Sequence, residues 1–396
     1  MHLFFNRYIS FFVFVFSKIN FWTFFCILPL LFTFGIWQFT SLYIVLLFYL
    51  FFLNNFKGFF IYDKFAVFIY FVSGLIAYGN TPVNADSMPY FVGTIVMPMI
   101  IFVLISNINL SPVRTFIFIN YLIFSGVILG IVSIYLSLSM GFFSLRLPSL
   151  WKDFNIVAAY FMIVFFFNLT LIIFDKRTPF KIFYLITIFF VFFGLFLTQT
   201  RGVWIGTLVA IFFYIIRRPK VFLPSLIIIG LFSVVFFAVV LDRFLSVKNF
   251  ATDVSTLGRL HAWYISFLII RDNWLWGTGF NSFIYLRDGI VSTLVVAVTH
   301  SHNTYLRLWL ELGILGLVST MYLMIKSFIY TFKSRRIKDS NKNYYLIDAL
   351  QLSFVGLFVA FIFDTYLSLF GDSLKMIWVL IGLSYNIYNS GIAKQV

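Results

Sequence analysis

Apolar residues run along this chain in blocks of roughly 17–25, the length a helix needs to cross a bilayer, and short polar connections separate most of them. The pattern predicts about twelve membrane helices, at 20–36, 38–54, 63–79, 89–106, 115–137, 153–174, 180–198, 202–216, 221–241, 303–327, 345–366 and 371–389. The connections between 20–36 and 38–54, and between 180–198 and 202–216, are very tight. One connection breaks the pattern. Residues 242–302 are long and mixed in character, and long connections are commonly functional. The chain therefore reads as three parts: 1–241 with about nine spans, 242–302 as a large loop carrying an amphipathic helix, and 303–396 with about three spans.

Composition fixes the class as an all-α polytopic membrane protein. Apolar residues make up 62% and charged residues 10%, and the mean hydropathy is +1.02. A soluble domain has no way to hide so much apolar surface. Residues 1–17 carry Arg7 and an apolar stretch, but Phe16, Ser17, Lys18 and Ile19 stand where a small-residue cleavage site would be, so the segment reads as retained. Cys26 is the single cysteine, and no intrachain disulfide is possible.

The net charge of +15 would point a soluble protein towards nucleic acid. Here it follows the positive-inside rule instead, and no nucleic-acid partner is expected. With both termini cytoplasmic, the span order places 18 Lys and Arg inside and 10 outside. The inside set includes Arg217, Arg218, Lys220 and the cluster Lys333, Arg335, Arg336, Lys338 and Lys342. The same order puts the long loop outside.

Candidate chemistry gathers at that outer surface. His300-Ser301-His302-Asn303 precedes a span holding Arg307, Glu311, Gly313 and Gly316. On a helix, positions 302, 306, 309, 313 and 316 share one stripe. Two glycines on that stripe would let a neighbouring helix approach and fix His302 in place. On a continuous helix His300 would point nearly opposite His302, so one of the two would face a given site. Arg307 and Glu311, four apart, can pair. The plain alternative is a histidine at the outer end of a membrane helix. A zinc site from His300, His302 and His261 is conceivable, yet no carboxylate stands at a set spacing, and no metal is expected.

Thr198-Gln199-Thr200-Arg201-Gly202 lies at the outer junction of two spans. A charge there is expensive unless it anchors at the interface or faces a cavity. Gly258-Arg259 opens a helix-like stretch with Trp263 and Tyr264 that runs to Arg271, followed by Trp274-Leu275-Trp276-Gly277-Thr278-Gly279-Phe280. The aromatic content suits a headgroup-level position. Gly277-Thr278-Gly279 lacks the preceding strand of a nucleotide-binding loop. Asp364 and Asp372 stand near the outer ends of the last two spans and could orient a basic group.

Taken in order, Thr200-Arg201-Gly202, Gly258-Arg259 with Trp263 and Gly277-Thr278-Gly279, and His302-Asn303 followed by Gly313 and Gly316 resemble the O-antigen ligase and polymerase superfamily. The motifs cover roughly residues 190–325. The resemblance implies a type C glycosyltransferase-like membrane fold in the bacterial inner membrane, with its active site facing the periplasm. It further implies an undecaprenyl-pyrophosphate-linked glycan donor, a lipid A core or growing glycan as acceptor, the bilayer as surroundings, and no cofactor. By resemblance His302 is the catalytic base. Arg201 and Arg259 hold the donor pyrophosphate, and Gly202, Gly313 and Gly316 are read as structural. His300 departs from the family pattern and is a second candidate base, and it is read with Asn303 as substrate-binding. Chemistry agrees with those roles. Arginine grips phosphate oxygens through a planar fork, and a histidine can take a proton from a sugar hydroxyl at neutral pH.

The presence of one large outer loop favours a ligase. A polymerase extending the lipid-linked glycan is the nearest alternative, followed by a protein O-oligosaccharyltransferase. A transporter or flippase predicts charges midway through spans and interrupted helices in two matching halves, and neither pattern is visible.

Overall fold

The computed structural model of the protein describes residues 60–82, 87–108, 112–139, 154–174, 178–219, 230, 254–290, 298–336, 344–367 and 375–392. The predicted spans 20–36 and 38–54, and 221–241 apart from residue 230, lie outside these residues, as do Cys26, Asp372 and the first part of the predicted loop.

Among the described residues every long element is a helix. In chain order these are α1 (Lys64–Asn80), α2 (Ser87–Asn107), α3 (Pro112–Ser139), α4 (Phe154–Phe174), α5 (Thr178–Leu197) and α6 (Arg201–Arg217). Then follow α7 (Val254–Asn273), α8 (Phe283–Ile290), α9 (Thr304–Arg336), α10 (Tyr344–Ala360) and α11 (Met376–Ile392). Five of these, α2, α3, α4, α9 and the Phe180–Leu197 part of α5, are long and apolar enough to cross a membrane. Nine predicted spans coincide with helices to within a few residues at most ends. The largest differences fall at α9, which continues to Arg336, and at α10, which stops at Ala360 rather than 366.

Helix α4 runs through the centre, and nearly every residue from Asn155 to Leu171 is buried. It packs on α5 and α10, while α3 packs on α5 and α6 on α10. On the other flank α9 contacts α1, α10 and α11, and α11 packs on α2. Phe65, Phe68, Ile186, Phe212, Ile216 and Ile325 point outward, the reverse of a soluble protein and the arrangement lipid favours. Inside α2, Val92–Val96 forms a π turn just before Pro98. Proline has no N–H to reach back to the Thr94 carbonyl, and the Tyr70 hydroxyl donates to that oxygen at 2.5 Å.

Helices α6 and α10 cross so closely that a Cβ on Gly206 would sit 2.5 Å from the Gly356 carbonyl oxygen. They run antiparallel. At one end, the buried Asp348 of α10 takes Arg218 Nε at 3.0 Å, Arg335 Nη1 at 2.7 Å and the Tyr214 hydroxyl at 3.0 Å. At the other end, Gly202 of α6 lies flush against Phe363, just past α10.

The expectation of a continuous helical stripe through His302 and Gly313 is overturned. Helix α9 begins at Thr304, and His302 precedes it with φ 45°. Gly313 has φ 68° and ψ −177°, a break within α9 in a region that essentially only glycine occupies. The break frees helix hydrogen bonds, and the segment between α7 and α8 takes them. Thr278 N–H donates to Leu310 O at 2.8 Å and Gly279 N–H to Glu311 O at 3.1 Å, while Ile314 N–H donates to Trp274 O at 2.9 Å. Gly277 and Gly279, both at positive φ, allow that approach. Gly316 does serve close packing, against Ser73 of α1.

Helix α7 starts four residues before the predicted Gly258. Its Ala262, Ile265, Ile269 and Ile270 form a separate small core with Phe283, Val298, Leu306 and Leu310. On the other face of α7, the large apolar side chains Leu260, Tyr264 and Phe267 are exposed.

Candidate active site

The site is assembled at the end of the bundle where α6 begins, α10 ends and α9 begins. The turn after α5 and the loop before α9 each contain a non-glycine residue at positive φ, Gln199 at 51° and His302 at 45°. Such conformations cost energy and persist only where the surroundings impose them. At His302 the consequence is geometric. The left-handed residue reverses the chain, so His300 and His302 converge, with ring centroids 3.8 Å apart. The expectation that only one of them faces a given site is thereby corrected. That expectation assumed a helix, and the segment is a turn.

Both imidazoles meet one carboxylate oxygen. His300 Nε2 lies 3.4 Å and His302 Nδ1 3.6 Å from Asp364 Oδ1, contacts slightly longer than formed hydrogen bonds. Asp364 is 2% exposed and sits in the turn that replaces the expected last turn of α10. Its Oδ1 also accepts Thr365 N–H at 2.7 Å, and its Oδ2 accepts from Asn155 of α4. Asn155 Oδ1 in turn accepts the Thr200 hydroxyl at 3.3 Å. A polar chain therefore links the loop before Arg201 to the histidine pair.

The turn carrying Asp364 is stapled to the start of α9. Thr304 N–H donates to Phe361 O and its hydroxyl to Asp364 O, at 2.8 and 2.7 Å. Asn303 caps α9, its Oδ1 accepting Leu306 N–H at 3.0 Å and its Nδ2 donating to Ile362 O at 3.1 Å. Asn303 thus spends both amide atoms on backbone, next to His302.

Burial pushes the His300 pKa down, and the neighbouring His302 and Arg307 push the same way against the opposing pull of Asp364. For Asp364, burial alone would raise the carboxyl, but the two histidines outweigh it and hold the group well below the usual carboxylate range. The carboxylate is charged at neutral pH.

Arg201 is the first residue of α6, half-buried beside Gly202, whose Cα abuts the Phe363 ring. Arg259 is half-buried on α7, one turn before Trp263. Trp263 Nε1–H donates to the His302 carbonyl at 3.3 Å, so α7 docks Arg259's turn of helix against the histidine loop. His261 takes no part in the cluster. Among the described residues, His300, His302 and Asp364 are the group whose ligand atoms lie within 4.8 Å of one another, a donor set that could hold a divalent cation. The carboxylate missing from the local sequence comes from a segment some 60 residues away.

Sequence reading named Asp364 without placing it in the site, and did not find Asn155. A carboxylate at the end of an apolar span is costly and carries a signal, whereas an asparagine opening a membrane helix carries none.

No curated protein matches the chain. Residues 186–321 match the family described as O-antigen ligase, whose members are glycosyltransferase-like enzymes with lipid-linked glycan substrates. The matched segment runs from α5 into α9 and contains Arg201, Arg259, His300 and His302. The match spans about a third of the chain and is a similarity of that segment to the family.

Proposed function

We propose that the protein is an O-antigen ligase of the bacterial inner membrane. It transfers a glycan from undecaprenyl pyrophosphate to a hydroxyl of the lipid A core on the periplasmic face. The observation that carries this reading is the convergence of His300 and His302 on the buried carboxylate of Asp364. That cluster lies at the bundle end where Arg201 starts α6 and against which α7 carries Arg259.

His302 is the general base. It takes the acceptor hydroxyl proton as that oxygen bonds to the anomeric carbon. The bond from that carbon to the carrier phosphate breaks, and its electron pair leaves with undecaprenyl pyrophosphate, inverting the anomeric centre. Asp364 orients the imidazoles and stabilises the imidazolium that forms, and Asn303 and the Trp263 indole fix the His302 backbone. Arg201 and Arg259 bind the pyrophosphate and balance the charge that builds on it. Two guanidinium groups serve where other transferases use a divalent cation. Both Asp364 oxygens already accept hydrogen bonds from Thr365 and Asn155, which favours an orienting role over metal ligation. The basic groups around Asp348 lie at the opposite ends of α6 and α10, which supports a periplasmic site through the positive-inside rule.

The test is glycan transfer by the purified protein. His302→Ala lowers kcat by roughly 10²–10⁴, the share of general-base help, and Asp364→Asn lowers it less. Chelation of divalent ions leaves the rate unchanged. Near-wild-type activity in His302→Ala, with loss in His300→Ala, moves the base to His300. A deletion strain that accumulates core lipid capped by one repeat unit supports the polymerase instead, since a missing ligase leaves bare core.

A further inference from the structure

We infer that Arg307 is a third anion-binding group of this site, holding a phosphate oxygen of the donor through Nη1 and Nη2 while Glu311 grips its Nε. The inference rests on the transferase reading above for the identity of the donor.

Arg307 is 3% exposed. Its Nε donates to Glu311 Oε1 at 2.8 Å. Nη1 and Nη2 are also buried, with no hydrogen-bond partner among the described residues. A guanidinium carries five N–H donors, and leaving most of them dry and unmatched is costly. The pair with Glu311 offers a weak reason for it. An i,i+4 pair with the cation on the N-terminal side is the poorer orientation. Arg307 also lies in the first turn of α9, where the helix dipole disfavours a cation and favours an anion. A leucine would pack there at no electrostatic cost.

The location supplies a purpose. Helical side chains lean towards the N-terminus, which for Arg307 is the end holding His302 and Asn303. Its charge acts on His300, opposing protonation of that ring. Glu311 is itself fixed, since Oε1 also accepts Asn281 N–H at 3.1 Å. A carboxylate anchored in this way holds Nε and leaves the Nη edge presented as a planar fork, the geometry that suits phosphate.

Inorganic pyrophosphate is the probe, titrated calorimetrically at low salt into the full-length protein in lipid nanodiscs. Arg307→Gln weakens binding roughly 10- to 100-fold, the loss of charge-assisted contacts to a phosphate. Arg307→Lys retains part of the affinity, because the charge remains without the fork. Glu311→Gln keeps an oxygen that accepts from both Asn281 N–H and Arg307 Nε, so the fork stays in place, and it removes the competing negative charge, so binding tightens by a few-fold. Tryptophan-monitored unfolding checks that each variant is folded, and Arg307→Lys and Glu311→Gln carry the test if Arg307→Gln is not. Equal affinity in wild type and Arg307→Gln overturns the inference, as does absence of pyrophosphate binding in the wild type. A folded Glu311→Gln that binds more weakly also overturns it, because the ion pair would then matter only as structure. Should binding depend on Arg307 while the protein transfers no glycan, the transferase reading fails and the anion site stands. Glycan transfer that needs His302, with binding indifferent to Arg307, removes the anion site alone.

Discussion

Asp364 and His300 show how burial and pairing divide the control of charge between two groups in contact. The carboxyl is held below its ordinary range, so its contribution to stability is complete above the unfolded value of about 3.9. That contribution is lost only as pH falls from there through the folded value. His300 behaves differently. Its folded pKa lies below the ordinary value, so the unfolded chain takes up the proton more readily than the folded protein. Stability is therefore full above about pH 6.5 and declines as pH falls from there towards the folded value. Between about pH 8 and pH 5.5, spanning the histidine range, the thermal unfolding midpoint of the wild type falls. In His300→Asn the fall is smaller. An unchanged slope would mean that His300 is not the residue buried in its neutral form. Asp364 stays ionised throughout that window and does not contribute to the slope.

At the scale of elements, the break in α9 holds the site's second core in place. The Trp274–Gly279 segment hydrogen-bonds across Gly313, and α7, which precedes it, carries Arg259 and Trp263. A Cβ on Gly313 would overlap the Leu275 carbonyl oxygen, and its φ/ψ strain alone costs about 1–3 kcal/mol. Gly313→Ala therefore lowers the unfolding midpoint and red-shifts tryptophan emission as Trp274 and Trp309 lose their contact. Gly316→Ala is milder because Gly316 carries no positive-φ strain and meets no backbone carbonyl, although its Cβ would still crowd the Leu312 Cβ at 2.2 Å. If the two variants were equally stable, the break would not be what anchors the segment.

Across the whole molecule, charge separates by end. Asp348 with Arg218 and Arg335, and Asp63 with Lys326 and Tyr385, tie helices together at one end, and the histidine cluster occupies the other. Cysteine labelling in a Cys26→Ser background tests the orientation. Thr299→Cys, exposed beside His300, reacts with a membrane-impermeant maleimide in spheroplasts. Lys333→Cys, exposed at the opposite end, reacts only after permeabilisation. The reverse pattern would place the site in the cytoplasm, away from any periplasmic acceptor.

The sequence by itself determined the membrane class, the bounds of nine helices to within a few residues at most ends, and the segments that carry the site. Apolar length and basic loops are local properties, and His-x-His-Asn and Arg-Gly are short contiguous patterns. Only the tertiary structure decided that His302 stands outside the helix, that Gly313 breaks α9 instead of smoothing its face, and that Asp364 joins the two imidazoles. Those facts depend on a turn trading its helical hydrogen bonds for others far along the chain, from Thr304 to Phe361 and from Thr278 to Leu310. Helical periodicity describes a helix on its own and carries no record of which distant backbone will offer the better partner.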